Sequence, residues 1–202
     1  SHEQRALRRL LFFSRPYNAG MKLRWDIFCT VIDNFGDIGI VWRISRQLTD
    51  ELGQVIRIWV DDLGSFQRIC PRVDPSRDVQ QVDGIEIRRW DDSMAEAEPA
   101  DVVVEAFACR VPEHFLEAMA NKKRKPVWIN LEYFSAESWV SKCHGLPSPH
   151  PRYPLTQYFF VPGLGPGTGG VPGSEGERAR LAAFREDTQQ RKACWSALGI
   201  KR

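Results

Sequence analysis

Apolar residues in this chain come in short, nearly unbroken runs separated by longer amphipathic stretches. Trp25 to Ile32, Val55 to Val60, Asp101 to Phe107 (centred on Val102-Val103-Val104) and Val127 to Leu131 have strand length and the composition of parallel strands buried on both faces. Between the first two, Ile40, Val41, Ile44, Leu48 and Leu52 fall near one stripe at helical spacing, and Gly53 stands where a left-handed residue would end that helix. Leu63 to Ile69 reads as a short helix stopped before Pro71. Val73 to Asp83 reads as a polar loop with some extended character, and Gly84 to Trp90 alternates as a strand does. Pro112 sits near the first turn of a helix running to about Asn121. Further on, Glu137 to Cys143 reads as a short helix with Ser135 as a candidate cap, and Tyr158 to Val161 as a strand. Arg178 to Leu198 reads as one long helix with a broken stripe, stopped by Gly199. Strand–helix alternation with short loops predicts an α/β fold, a Rossmann-like parallel sheet with flanking helices.

The edges of this pattern suggest an organisation. Residues 1–20 are arginine-rich and lack a clean period, as expected of a tag remnant or upstream extension, although Gln4 to Phe13 could form a docked helix. Residues 21–163 carry the α/β pattern. Residues 164–177, dense in glycine and proline, are expected to be a linker, and 178–202 a helix leading toward a second domain.

Composition removes several function classes. The formal charge of +2 gives no nucleic-acid signal, and Lys122-Lys123-Arg124-Lys125 reads as a solvated helix end rather than a phosphate track. No apolar run approaches the roughly 20 residues of a membrane span. The five cysteines are scattered and lack CxxC spacing, which favours reduced thiols and a cytoplasmic setting; Cys29 and Cys109 fall in strand-like runs, as small core residues would. The four histidines are dispersed, so no metal site is expected. The first turn lacks G-x-G-x-x-G, and neither a P-loop nor a G-x-S-x-G elbow occurs, so dinucleotide, P-loop and serine-hydrolase chemistry lose their sequence support.

Candidate chemistry concentrates in Asp33-Asn34-Phe35-Gly36-Asp37-Ile38-Gly39, the turn between the first strand and its helix. Ligands bind at this end of such sheets, and the turn carries two carboxylates. A structural reading competes with a functional one: Asp37 as a helix N-cap and Asp33 as the closer of an Asx turn. Glu105 and Glu132 end buried-type strands beside the same edge and are suited either to a substrate or to an ion pair. Gly163 to Gly170 is suited either to cradling a phosphate with bare amides or to a mobile connector.

Three separated motifs carry a family resemblance. Trp25-Asp26-Ile27-Phe28-Cys29, continuing through Val31-Ile32-Asp33-Asn34-Phe35-Gly36-Asp37-Ile38-Gly39 to Trp42-Arg43, is similar to the EarP family. So are Asn130-Leu131-Glu132-Tyr133-Phe134-Ser135-Ala136-Glu137 and the segments Phe160 to Gly163 and Thr168 to Gly170. The resemblance implies an inverting, metal-independent GT-B glycosyltransferase of two domains. It would move L-rhamnose from dTDP-β-L-rhamnose to a guanidinium nitrogen of an arginine in translation elongation factor P, with no cofactor besides that donor. It implies that Asp37 is the general base and that Asp33 positions the acceptor arginine. Asn34, Phe35, Gly36, Gly39 and Glu132 are expected to line the substrate site. The expected partners are elongation factor P and the nucleotide sugar. The donor-gripping glutamate and thymine clamp belong to the family's second domain, so this segment alone is expected to bind the acceptor without turning over. Val171-Pro172-Gly173-Ser174 departs from the family's apolar and basic pattern at that point.

Overall fold

In the computed structural model, which describes residues 22–32, 35–91, 97–171 and 175–200, chain contacts divide after residue 172. The first unit runs β1 (Arg24–Cys29), α1 (Gly36–Leu52), β2 (Val55–Val60), α2 (Leu63–Ile69), β3 (Val79–Val82) and β4 (Ile85–Arg89). It continues through β5 (Val102–Ala106), α3 (Glu113–Asn121), β6 (Val127–Leu131), α4 (Val140–Cys143), β7 (Pro147–Pro149) and β8 (Thr156–Phe160). The second contains α5 (Glu175–Glu186) and α6 (Thr188–Ala197).

The strands form one sheet in the order β3-β4-β2-β1-β5-β6-β8-β7, parallel throughout except for β3 and β7 at its edges. Alternation in the apolar runs sets which face each residue covers. Trp25, Ile27 and Cys29 of β1, with Ile56, Ile58 and Val60 of β2, pack under Ile38, Val41, Ile44 and Leu48 of α1 and Phe66 of α2. On the opposite face Phe28, Trp59 and Val103 meet Phe115, Leu116 and Met119 of α3. Phe28 stacks on Trp59 at 5.7 Å between ring centroids and meets Phe115 edge-on at 4.9 Å. Helices therefore cover both faces, as the strand–helix alternation predicts. β1 has β2 on one side and β5 on the other. The chain winds outward in both directions from that pair, so the crevice beyond their carboxyl ends is the topological switch point.

Several local expectations are corrected. α1 begins at Gly36 rather than Ile40, because the Gly39 amide already donates to the Phe35 carbonyl at 3.0 Å; Gly36, Asp37 and Gly39 are helical, not turn, residues. Residues 79–82, expected to be loop, pair with β4 as a hairpin whose turn holds Asp83 and Gly84 at positive φ. The stretch with prolines at 147, 149, 151 and 154 contributes an edge strand, β7, the sheet position that tolerates residues without an N–H donor. The Ser135 hydroxyl accepts from the Glu137 amide at 3.1 Å, so it closes a local turn ahead of α4 instead of capping it. The expected single C-terminal helix is two: Asp187 interrupts it and caps α6 by accepting from the Gln189 and Gln190 amides at 2.9 Å each. The candidate helix Gln4 to Phe13 lies outside the described residues.

Glycine-rich residues 163–170 are tied back at several points. The Gly163 amide donates to the Gly170 carbonyl at 3.0 Å and the Gly169 amide to the Val161 carbonyl at 2.8 Å. The buried Thr168 hydroxyl lies 2.9 Å from the Gly163 carbonyl oxygen and 2.8 Å from that of Gly165. Their amides being taken by carbonyls, Gly163 and Gly169 are not available to cradle a phosphate, and the segment is a closed loop seated on the end of β8.

Candidate functional site

Asp37 stands in the first turn of α1, where unpaired amide dipoles favour a negative charge. It is not the N-cap: Phe35 holds that position and makes no side-chain cap bond. The Asp37 carboxylate instead turns back toward the strand exit and across to the next loop. Its Oδ2 accepts from the Ile32 amide at 3.1 Å, and its Oδ1 accepts from the Tyr133 hydroxyl at 2.8 Å. The residue is only 1% exposed. Asp33 and Asn34 lie outside the described residues.

Tyr133 follows β6, and it is held flat by a neighbour that follows β5. Its ring stacks on Phe107 with centroids 4.3 Å apart and planes inclined by 17°. Phe107 owes its place to an unusual backbone: Phe107, Ala108 and Arg110 all adopt left-handed φ, at 57°, 55° and 56°, although none is glycine. Such conformations persist only where surrounding bonds impose them. Here the Phe107 amide donates to the Leu131 carbonyl at 2.8 Å, the Cys109 thiol to the Phe28 carbonyl at 3.2 Å, and the Val111 amide to Glu105 Oε1 at 3.1 Å.

Glu105 is thus a structural latch. Buried at the end of β5, it takes the Val111 amide and the Gln157 side-chain amide rather than facing the crevice. Burial pushes its pKa above the ordinary carboxylate range, and those two hydrogen bonds offset this only in part. Burial likewise pushes up the thiols of Cys29 and Cys109, which leaves them as inert packing groups.

Glu132 behaves differently. It accepts from the Asn130 side-chain amide at 2.8 Å and lines a cleft of about 150 Å³ together with Ile40, Arg43, Phe107, Phe134 and Pro162. One carboxylate, one guanidinium and apolar walls suit a ligand with both polar and apolar parts. Phe35 is 41% exposed, its ring 5.8 Å from the Arg68 guanidinium carbon. Gly36 is exposed in the first turn of α1. A Cβ on Gly39 would lie 3.9 Å from Ile69 Cδ1, an ordinary contact, so crowding does not require glycine there.

The structure therefore brings Asp37 and Glu132 to the same sheet edge, joined by Tyr133, and sets Phe35, Gly36 and Gly39 around the start of α1. Tyr133 and Phe107 are site residues that sequence reasoning missed. The available signal was an aromatic directly following a strand-ending acid at the sheet's ligand-binding edge. Among the described residues, no group of three or more His, Cys, Asp and Glu is placed to hold a metal ion, and no helix is long and apolar enough to cross a membrane.

Residues 25–202 match the family described as Elongation-Factor P (EF-P) rhamnosyltransferase EarP. Protein-arginine rhamnosyltransferases of Pseudomonas aeruginosa and Pseudomonas putida are 47% and 46% identical to the chain over 178 and 180 residues, 88% and 89% of its length. One from Neisseria meningitidis is 39% identical over 166 residues. The chain spans about half the length of the curated relatives it matches, 47% and 48% for the two Pseudomonas proteins. A solved structure concerned with EarP-mediated arginine glycosylation of translation elongation factor EF-P overlaps 90% of this chain and 38% of its own, with 24% identity and a TM-score of 0.40, too loose an overlap to decide the fold. Matched along nearly its whole length, and at close to half of its positions by the Pseudomonas enzymes, the chain belongs to the EarP family of elongation-factor P rhamnosyltransferases.

Proposed function

We propose that this chain is the acceptor-facing half of an inverting, metal-independent GT-B glycosyltransferase that transfers L-rhamnose from dTDP-β-L-rhamnose to a guanidinium nitrogen of an arginine in elongation factor P. Asp37 is the base and Asp33 the carboxylate that orients the arginine. The reading rests on family membership. The observation that carries the site assignment is a buried carboxylate at the positive end of α1, at the switch-point edge of the sheet.

The chemistry limits what the base does. A guanidinium titrates above about 12 and an ordinary carboxylate near 4, a gap of about 11 kcal/mol. Full deprotonation before attack is therefore too costly. One carboxylate instead holds the guanidinium through paired, charge-assisted N–H···O bonds. The nitrogen attacks the sugar's anomeric carbon on the face opposite the leaving nucleoside diphosphate. As the C–N bond forms the nitrogen becomes acidic, and its proton passes late to Asp37. Glu132 and Arg43 line the neighbouring cleft, which supports a role for them toward polar groups of the bound partners.

The test is Asp37→Asn in a full-length enzyme carrying this segment, with elongation factor P weighed after incubation with the donor. Turnover, read as the gain of one deoxyhexose, is expected to fall at least about 100-fold while acceptor binding is retained. Near-normal turnover removes the base assignment.

A further inference from the structure

We infer that Tyr133 is a place-holder on Asp37: its hydroxyl occupies, in the unbound protein, a carboxylate oxygen that the acceptor guanidinium takes over on binding. The inference rests on the proposed role of Asp37 as base. Three observations carry it. Asp37 is 1% exposed, so a guanidinium nitrogen cannot reach its carboxylate while the present cover stands. The Tyr133 hydroxyl donates to Oδ1 at 2.8 Å, and Tyr133 is itself 48% exposed, so its side chain has solvent to move into. The second oxygen, Oδ2, is held by the main-chain amide of Ile32 at 3.1 Å, which fixes the carboxylate plane whether or not the tyrosine stays.

The physical logic is an exchange of donors. A buried carboxylate with no donor at Oδ1 would be costly, so the resting protein supplies an O–H. An incoming guanidinium brings to that oxygen an N–H donor that carries positive charge, a stronger partner than a neutral hydroxyl. The tyrosine then swings off Asp37, and its hydroxyl is released to water. Its ring has a defined resting place against Phe107, whose own position is imposed by the left-handed backbone of residues 107–110. Binding thus carries a built-in cost, the rupture of the tyrosine–aspartate bond. That cost raises the acceptor affinity needed to open the site.

The cost gives the inference a distinctive sign. Tyr133→Phe keeps the stack and removes the hydroxyl, so the acceptor no longer has that bond to displace. In a full-length enzyme carrying this segment, unmodified elongation factor P, titrated without nucleotide sugar, is expected to bind Tyr133→Phe about fivefold more tightly than the parent, the worth of one net hydrogen bond. In an Asp37→Ala background the same substitution is expected to change binding by less than about twofold, because the bond is already gone. A Tyr133→Phe protein that binds as the parent does, or more weakly, overturns the place-holder. So does tightening that persists undiminished in the Asp37→Ala background. If Asp37→Asn is inactive while Tyr133→Phe fails to tighten, only the place-holder falls; if Asp37→Asn turns over normally, the base assignment falls and takes the place-holder with it.

Discussion

Asp26 and Arg57 are register partners on β1 and β2, and the aspartate is wholly buried with four donors around it. Arg57 Nε and Nη2 reach its two oxygens at 2.5 and 2.9 Å, Trp59 Nε1 donates at 3.0 Å and the Ala100 amide at 2.8 Å. This buried carboxylate lies on β1 itself, before the strand's carboxyl end, so it is structural where Asp37 is a candidate for chemistry. Asp26→Ala is expected to cost about 3–5 kcal/mol, since it strands the arginine's donors, while replacing both partners with apolar residues of similar volume should cost far less. Denaturant midpoints of the two variants decide the point; a single mutant as mild as the double one would contradict it.

The backbone after β5 makes an opposite prediction. Ala108 is exposed at a φ of 55°, a conformation that costs an L-residue about 1–2 kcal/mol and glycine almost nothing. After the extra entropy glycine loses on folding, Ala108→Gly is expected to stabilise the fold by about 0.5–1 kcal/mol. A thermal melt that shifts downward would mean that the strain is absent.

Gly169 has no such slack. A Cβ there would fall 2.6 Å from the Phe160 ring and 3.0 Å from the Val161 carbonyl oxygen, the acceptor of the glycine's own amide. Gly169→Ala is expected to destabilise by about 1–3 kcal/mol through overpacking, whereas Gly53→Ala, with nothing within 4 Å of the added carbon, suffers only its strained φ. Equal melting temperatures for Gly169→Ala and the parent would show that the loop yields at no cost.

Glu105 gives a pH dependence of definite sign. Its folded-state pKa lies above the ordinary value of 4.5, raised chiefly by burial, so the fold prefers the protonated form. That contribution is complete below the ordinary value and is lost as pH rises through the raised one. Glu105→Gln, neutral at all pH, should therefore lose less stability than the parent as the pH rises above the ordinary carboxylate range. Parallel denaturation series for the two proteins test this, and identical slopes would refute it. At the acid end Asp62 works the other way: its hydrogen bonds from the Ser65 hydroxyl and amide hold its pKa down, so its contribution disappears as the pH falls below the carboxylate range.

Much of this architecture is legible in the chain because burial on both faces leaves an unmistakable composition. Val102-Val103-Val104 and the run from Val127 to Leu131 have no other comfortable state, and the stripe from Ile40 to Leu52 matches the face α1 buries. The sequence was mute where pairing, not composition, makes the element. Gln80 and Gln81 are strand residues only because β4 lies beside them, and the Pro147–Pro149 edge exists only because β8 offers it a partner. The break at Asp187 was readable as a capping residue inside a helical run, but the run's weak stripe hid it. At the site, the two motifs flagged for chemistry, around Asp37 and around Glu132, do converge. The link between them was invisible because it depends on three left-handed, non-glycine residues after β5, a conformation no residue preference announces.

The placement of β1 at the centre of the sheet bears on how the protein is made. Its flanks are completed by residues 55–60 on one side and 102–106 on the other. During synthesis β1 must wait for more than seventy further residues before its second flank closes, a long-range pairing of the kind that slows folding. Until then Phe28, destined to lie beneath Phe115 of α3, has no lid. The nascent chain therefore carries an apolar, half-paired strand until residues 102–106 are made, and this interval, more than the folded state, is when it most needs protection from its neighbours.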